Sequence, residues 1–298
     1  MKIAITGSSG LLGSALVSAL RQDGDEVIRL VRRAPRSADE MAWDPEAPRG
    51  GLGPAALSGV AAVINLAGAG VADRRWTTAY KEKIRASRVT GTRALACLLA
   101  DMDSPPSVVL SGSALGWYGD TGGREVDETS PAGIGFLADV VKEWEAAVDP
   151  ARQAGLRVVT LRTGLVITRQ GGILARLLPL FRLGLGARLG PGTQVMSWVA
   201  LADWIRIARF LLDHDEISGP VNLTTPEPVT NAAFTSALAA ALHRPAALSV
   251  PSPVLSLALG GVTSDLLSSA RVRPRRLRDA GFEFSFPSMA GALAAELS

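Results

Sequence analysis

Gly7, Gly10 and Gly13 recur at a spacing of three directly after a short apolar run, Ile3-Ala4-Ile5. This pattern makes an anion cradle. A strand stops at Thr6, the backbone turns at Gly7, comes close to a phosphate at Gly10, and packs helix on strand at Gly13. The following helix, marked by Leu12, Ala15, Leu16, Ala19 and Leu20, offers unpaired N–H groups and a partial positive charge. A dinucleotide pyrophosphate is the group expected there. Arg32 and Arg33 close the next apolar segment, residues 26–31. A unit selective for NAD carries an acid at that place for the ribose 2′-hydroxyl, whereas a guanidinium pairs bidentately with a 2′-phosphate. NADP(H) is therefore the cofactor expected. The alternative for the two arginines is a solvated loop.

The elements that must position these residues alternate. Residues 60–67 read as a buried strand running into Gly68, followed by a helical stripe of Tyr80, Ile84, Gly91, Leu95, Leu98 and Met102. Residues 107–111 are the next strand, 136–153 a helix, and 157–162 a strand. Strands alternating with helices predict an α/β fold, a Rossmann-type doubly wound parallel sheet. After residue 165 the pattern changes. Glycine and proline crowd 171–192, a short strand covers 220–223, and helices are expected over Asn231–Leu242, Pro253–Leu267 and Pro274–Ala280, with Thr230 and Asn231 as caps. The division expected is a dinucleotide-binding domain over 1–165, with a returning segment near 193–225. A smaller, mainly helical C-terminal domain over 166–192 and 226–298 would cover the substrate cleft at the carboxyl ends of the strands.

With 298 residues, 47% hydrophobic and 20% charged, the chain can bury a large core. It contains no run long and apolar enough to span a membrane. One cysteine and two histidines build no metal site, and no leader precedes the first strand, so a cytoplasmic protein is expected. A net charge of +3 is weak attraction for a polyanion, and the dense arginines at 271–278 lack interleaved aromatics, so nucleic acid is not the expected partner. The partner expected is a small-molecule substrate, and a homodimer stays open.

Three segments together, residues 2–13, Asn65-Leu-Ala-Gly68 and Ser111-Gly-Ser-Ala-Leu-Gly-Trp-Tyr-Gly119, resemble the extended short-chain dehydrogenases/reductases. More narrowly, the chain resembles the YfcH-type epimerase family, assigned to sugar-nucleotide epimerisation. The further matches are Trp43-Asp-Pro45, Arg74-Arg-Trp76, Trp144-Glu145, Leu161-Arg-Thr-Gly164, Gly171-Gly172, residues 181–186, Gly219-Pro-Val-Asn222, Pro226-Glu-Pro228 and Pro274-Arg-Arg-Leu277. The resemblance spans nearly the whole chain. It implies cofactor contacts at Thr6, Gly7, Ser9, Gly10, Leu11 and Leu12, at Arg32 and Arg33, and at Asn65, Leu66, Ala67 and Gly68. Ser111, Gly112, Arg162 and Gly164 complete that set. It also implies a nucleotide-linked substrate.

Active members of the wider superfamily use a Tyr-x-x-x-Lys pair on one helical face, assisted by a serine. Here Phe136 and Val140 stand in those places, and Lys142 lies round the helix toward solvent. Neither phenyl nor isopropyl carries a proton. Two further departures are Arg88-Val-Thr-Gly-Thr92, where Asn leads in the superfamily, and Trp198-Val-Ala, where the family has Trp-Ile-His. Ser113 matches the superfamily serine and stands as a nicotinamide or substrate contact or as a structural serine bonding backbone. Tyr118, the tyrosine near that strand end, is either a displaced acid/base or a loop cap. The acidic run Asp120, Glu125, Asp127 and Glu128 reads as a solvated turn. The stripe Lys81, Arg85 and Arg88 faces either an anionic substrate or solvent. Two activities remain: an NADP(H)-dependent epimerase or oxidoreductase, and a non-catalytic NADP(H)-binding sensor or interaction protein. Arg32→Glu is expected to weaken NADPH binding far more than NADH binding in a fluorescence titration. Equal losses for both would remove the 2′-phosphate assignment.

Overall fold

The computed structural model describes residues 1–259, 263 and 267–298. Its main sheet consists of β1 (Lys2–Thr6), β2 (Glu26–Val31), β3 (Glu40–Ala42), β4 (Ala62–Asn65), β5 (Val108–Ala114), β6 (Arg157–Thr163) and β7 (Gly219–Leu223). The order is β7-β6-β5-β4-β1-β2-β3, with every neighbouring pair parallel. This is the doubly wound Rossmann sheet expected from the alternation of elements. The order reverses between β1 and β4, where ligands of such sheets bind.

Strands covered on both faces are apolar throughout, and successive side chains divide between the layers. Ile3 and Ile5 of β1 face one layer with Ile64, Leu110 and Leu161. There α1 (Leu11–Gln22) contributes Leu16, Val17 and Leu20, and Trp204, Ile207 and Leu211 come from Leu201–Asp213. Ala4, between them, faces the other layer with Val63, Val109 and Val158. That layer is covered by Leu95, Leu98 and Leu99 of α2 (Thr78–Ala100). The helical pattern at 136–153 forms two helices, α3 (Phe136–Ala146) and α4 (Asp149–Gln153), because Pro150 cannot donate inside a continuous helix.

Beyond β6 the chain adds α5 (Gly172–Arg182), α6 (Leu201–Asp213), α7 (Asn231–Ala241), α8 (Ser252–Leu259), α9 (Arg275–Asp279) and α10 (Met289–Leu297). Thr230 caps α7 by accepting the Ala233 N–H, as its position predicts. The helix expected to reach Leu267 is described as far as Leu259; residues 260–262 and 264–266 lie outside the described residues. The terminal helix α10 is absent from the sequence reading. Its alanine-rich stretch carries little periodic contrast, and it is held by Met289, Ala292 and Leu293 packing on Phe234 and Leu238. Among the described residues no helix is long and apolar enough to cross a membrane.

The tightest local constraint lies in the first turn. Gly7 sits at φ +68°, and a Cβ there would come within 2.6 Å of the Leu66 carbonyl. A Cβ at Gly13 would run into the Gly7 carbonyl oxygen. Gly13→Ala is therefore expected to cost about 1–3 kcal/mol of stability through forced backbone movement. Urea unfolding measures it, and an unchanged midpoint would mean that the loop yields freely.

Candidate cofactor and active site

Gly10 caps α1 with no side-chain hydrogen bond, and no acid stands in the first turn. A Cβ at Gly10 would meet only the Gly7 carbonyl oxygen, at 3.3 Å, and Ser9 and Gly10 are exposed. The leading N–H groups of α1 therefore face open space, and a pyrophosphate fits there by charge and by room. Thr6 ties this loop to the segment after β4. Its hydroxyl donates to Asn65 Oδ1 at 2.6 Å and accepts from the Leu66 and Ala67 N–H groups, both at 3.2 Å. Asn65 Nδ2 in turn donates to Thr92 Oγ1 at 2.8 Å. Thr6, Gly7, Ser9, Gly10, Asn65, Leu66, Ala67 and Gly68 are thus brought together. The Leu11 side chain lies against Gly171, joining the loop to the second half of the chain, and Leu12 packs against the core.

The structure separates the two arginines after β2. Arg33 Nη1 and Nη2 each donate to the Glu40 carboxylate at 2.7 Å. Hydrogen bonds from Arg33 and from the Arg36 amide hold the Glu40 carboxyl down at about 2. Arg29 also pairs with Glu40, at 3.0 Å. Arg32 is exposed and, among the described residues, has no ion-pair partner. It is the arginine with donors free for an incoming phosphate.

A row of polar side chains crosses the carboxyl ends of three strands. Ser113 of β5 is in register with Arg162 of β6, and Arg162 with Asn222 of β7. Ser113 Oγ donates to Glu145 Oε1 at 2.6 Å, and Arg162 binds the same carboxylate through Nε at 2.8 Å and Nη2 at 3.0 Å. Ser113, Glu145 and Arg162 are 5%, 8% and 2% exposed. Burial alone would lower the Arg162 pKa, but the hydrogen bonds and charge of Glu145 outweigh it and raise it. The guanidinium also lies 3.9 Å from the Trp117 ring centroid.

Tyr118 points inward. Its hydroxyl donates to Asn222 Oδ1 at 2.8 Å and accepts from Arg162 Nη1 at 3.1 Å. Burial pushes the phenol up to about 12, against the pull of Arg162. The displaced acid/base expected of Tyr118 would need a hydroxyl open to substrate, and this one is sealed at both ends. Glu128, expected in a solvated turn, is buried; it accepts from the Asn222 N–H at 3.0 Å and the Arg275 N–H at 3.2 Å. Burial raises its pKa.

Ser111 is buried two residues before Ser113 on the same face, with no hydrogen-bond partner for its hydroxyl in the described structure. Gly112 leaves room for Trp144, whose Cζ2 would lie 2.7 Å from a Cβ there. Gly164 allows a close backbone approach, with the Ser197 carbonyl oxygen 3.0 Å from where a Cβ would stand. On α3, Phe136 packs edge-on against Trp76 with centroids 5.1 Å apart, and Val140 is buried with Tyr80 and Ile84. Lys142 is turned to solvent and paired with Asp139 at 2.7 Å. Phe136 and Val140 thus belong to an apolar cluster.

Glu145, Glu128 and Asn222 were not singled out as site residues by sequence reasoning. A signal existed for Glu145. It shares the helical stripe of Val141, Trp144 and Val148, where an acid must be either buried with a partner or destabilising.

The sequence pattern of the NAD dependent epimerase/dehydratase family matches residues 3–223, and that of a domain of unknown function (DUF1731) matches residues 250–296. Over 292 residues the chain is 47% identical to the Mycobacterium bovis epimerase family protein Mb2239, covering 98% of this chain and 96% of that protein. The crystal structure of the human epimerase family protein SDR39U1 with NADPH superposes at a TM-score of 0.90 and 30% identity, over 100% of this chain and 99% of the other. A nucleoside-diphosphate sugar epimerase from Corynebacterium glutamicum is 36% identical with a TM-score of 0.82, over 100% of this chain and 58% of the other. With its glycine cradle, its sheet order and its whole length thus matched, the chain belongs to the NAD dependent epimerase/dehydratase family.

Proposed function

We propose that the chain is an NADP(H)-dependent epimerase or oxidoreductase acting on a hydroxyl or keto group of a small, nucleotide-linked substrate. In this reading Ser113 stands in for the missing Tyr-Lys pair. The observation that carries it is the 2.6 Å hydrogen bond from Ser113 to Glu145 at the carboxyl-end edge of the sheet. The cofactor is NADP(H): the uncapped helix start at Gly10 suits the pyrophosphate and the unpaired Arg32 suits a 2′-phosphate. A 30% identical human relative was solved with NADPH. Bound there, the nicotinamide supplies a hydride acceptor or donor.

The chain's own residues handle the proton. Ser113 has its hydrogen committed to Glu145, so its oxygen meets a substrate as a hydrogen-bond acceptor and selects a hydroxyl. As that hydroxyl is oxidised, Ser113 Oγ takes its proton and passes its own to Glu145 Oε1; reduction reverses both transfers. Arg162 holds the carboxylate in place through two bonds, and Tyr118 braces Arg162 without exchanging a proton. A second reading, a non-catalytic holder of NADP(H), is favoured by one observation: Phe136 and Val140 fill the usual acid/base positions with apolar contacts.

The two readings separate in one assay. Protein loaded with NADP⁺ is mixed with UDP-glucose and UDP-N-acetylglucosamine, and sugar epimers are followed by NMR. Turnover in wild type should fall about 10²–10⁴-fold in Ser113→Ala, with NADPH affinity kept within about twofold. A Ser113→Ala variant that turns over at the wild-type rate would remove the serine from the chemistry. Binding of NADPH without conversion of any nucleotide sugar would favour the holder.

A further inference from the structure

We propose that Arg88, on the helix beside the cleft, is the seat of an oxyanion, a phosphate or carboxylate carried by a bound ligand. The inference rests on the reading above only for the position of the cleft. Of the three cations in the stripe of α2, Arg85 is satisfied by Glu143 at 2.8 Å. Lys81 lies over the rings of Trp76 and Phe136, 5.7 and 5.0 Å from their centroids. Arg88 is different. Its guanidinium is 5.1 Å from the Trp144 ring centroid and makes one hydrogen bond, from Nη1 to the Ile84 carbonyl at 3.0 Å. Among the described residues it has no carboxylate partner, and the half-buried guanidinium makes no other hydrogen bond to the protein.

A guanidinium partly withdrawn from water without a counter-charge is disfavoured, and the buried Arg162 is paired with a carboxylate. Burial here is deep enough to bring the Arg88 pKa down to about 10. The missing counter-charge has a place to come from. Arg88 borders Gly68, the last residue of the segment that follows β4. A Cβ at Gly68 would meet its Cζ at 3.3 Å and its Nη1 at 3.5 Å, so the glycine keeps that flank open. On its other side the indole of Trp144 lies against Gly112, the residue before Ser113. Arg88 therefore lies between the segment 65–68 and the indole that backs Gly112, the residue before Ser113. A planar fork of donors in that setting recognises the paired oxygens of a phosphate or carboxylate.

The oxyanion comes from one of two sources, the phosphates of the dinucleotide or an acidic group of the substrate. Both are tested with Arg88→Met and Arg88→Lys beside wild type. Calorimetry measures NADPH binding to the apoprotein, then binding of UDP to the NADPH-loaded protein. Arg88→Met should lose about ten- to a hundredfold in one of the two titrations. A loss with NADPH assigns the dinucleotide phosphates, and a loss confined to UDP assigns the substrate side. Arg88→Lys should recover part of the lost affinity because it restores the charge. Without ligand, Arg88→Met should melt at or above the wild-type temperature, since an unpaired buried charge has been removed. Both affinities within twofold of wild type would overturn the proposal. So would a large fall in melting temperature in Arg88→Met with no recovery of binding in Arg88→Lys, which is the signature of a structural arginine. If wild type itself fails to bind NADPH, the cofactor reading falls. The Arg88 site is then judged on UDP binding to the apoprotein.

Discussion

A guanidinium taken out of water demands a counter-charge and a full set of acceptors, and Arg162 makes that demand at the carboxyl end of the strand beside the sheet edge. Its partners come from three elements: Glu145 from α3, Ser113 from β5 through that carboxylate, and Tyr118 and the stacked Trp117 from the turn after β5. Tyr118 passes the constraint to Asn222 on β7, whose backbone N–H is held by Glu128. Glu128 reaches on to the backbone N–H of Arg275 at the start of α9. One buried pair therefore aligns the carboxyl ends of β5, β6 and β7 and anchors the C-terminal segment to them. Removing either charge leaves the other buried and unpaired, a loss of about 3–5 kcal/mol in comparable pairs.

The first turns of α3 pack against α2 instead. Lys81 meets Phe136, Ile84 meets Val140, and Arg88 meets Trp144, so the two helices run side by side in steps of about one turn. The cluster of Tyr80, Ile84, Val140, Trp76 and Phe136 is apolar. The hydrogen-bonding groups of α3 toward the sheet lie in its last turn, at Glu145, which meets Ser113 at the end of β5. Lys81, Arg85 and Arg88 lie on the facing helix α2.

The arginines at the far end of the chain follow ordinary electrostatics. Arg273 pairs with Glu125 at 2.8 Å, and Arg275 with Asp127 at 3.4 Å. The acidic run before α3 and the basic run before α9 are thus complementary, and the short parallel pairing of 125–126 with 271–272 holds them together.

Local patterns in the chain determined the sheet and its cradle. Short apolar runs alternating with helical stripes read as buried strands, and the spacing of Gly7, Gly10 and Gly13 is legible because Gly10 and Gly13 both close onto Gly7, although Gly7 itself answers the distant Leu66. Phe136 and Val140 were readable as a departure through the family resemblance, with helical spacing adding only that they share one face. What the tertiary structure decided depends on which elements meet. Glu40, brought in by β3, engages Arg33 and leaves Arg32 without an ion-pair partner among the described residues. The fate of Tyr118 turned on Asn222, more than a hundred positions away. Glu145 reads in sequence as one more acid on an amphipathic helix until Ser113 and Arg162 close around it. The order of β4, β5, β6 and β7 supplies that meeting, because register between parallel strands is set by packing across the whole sheet.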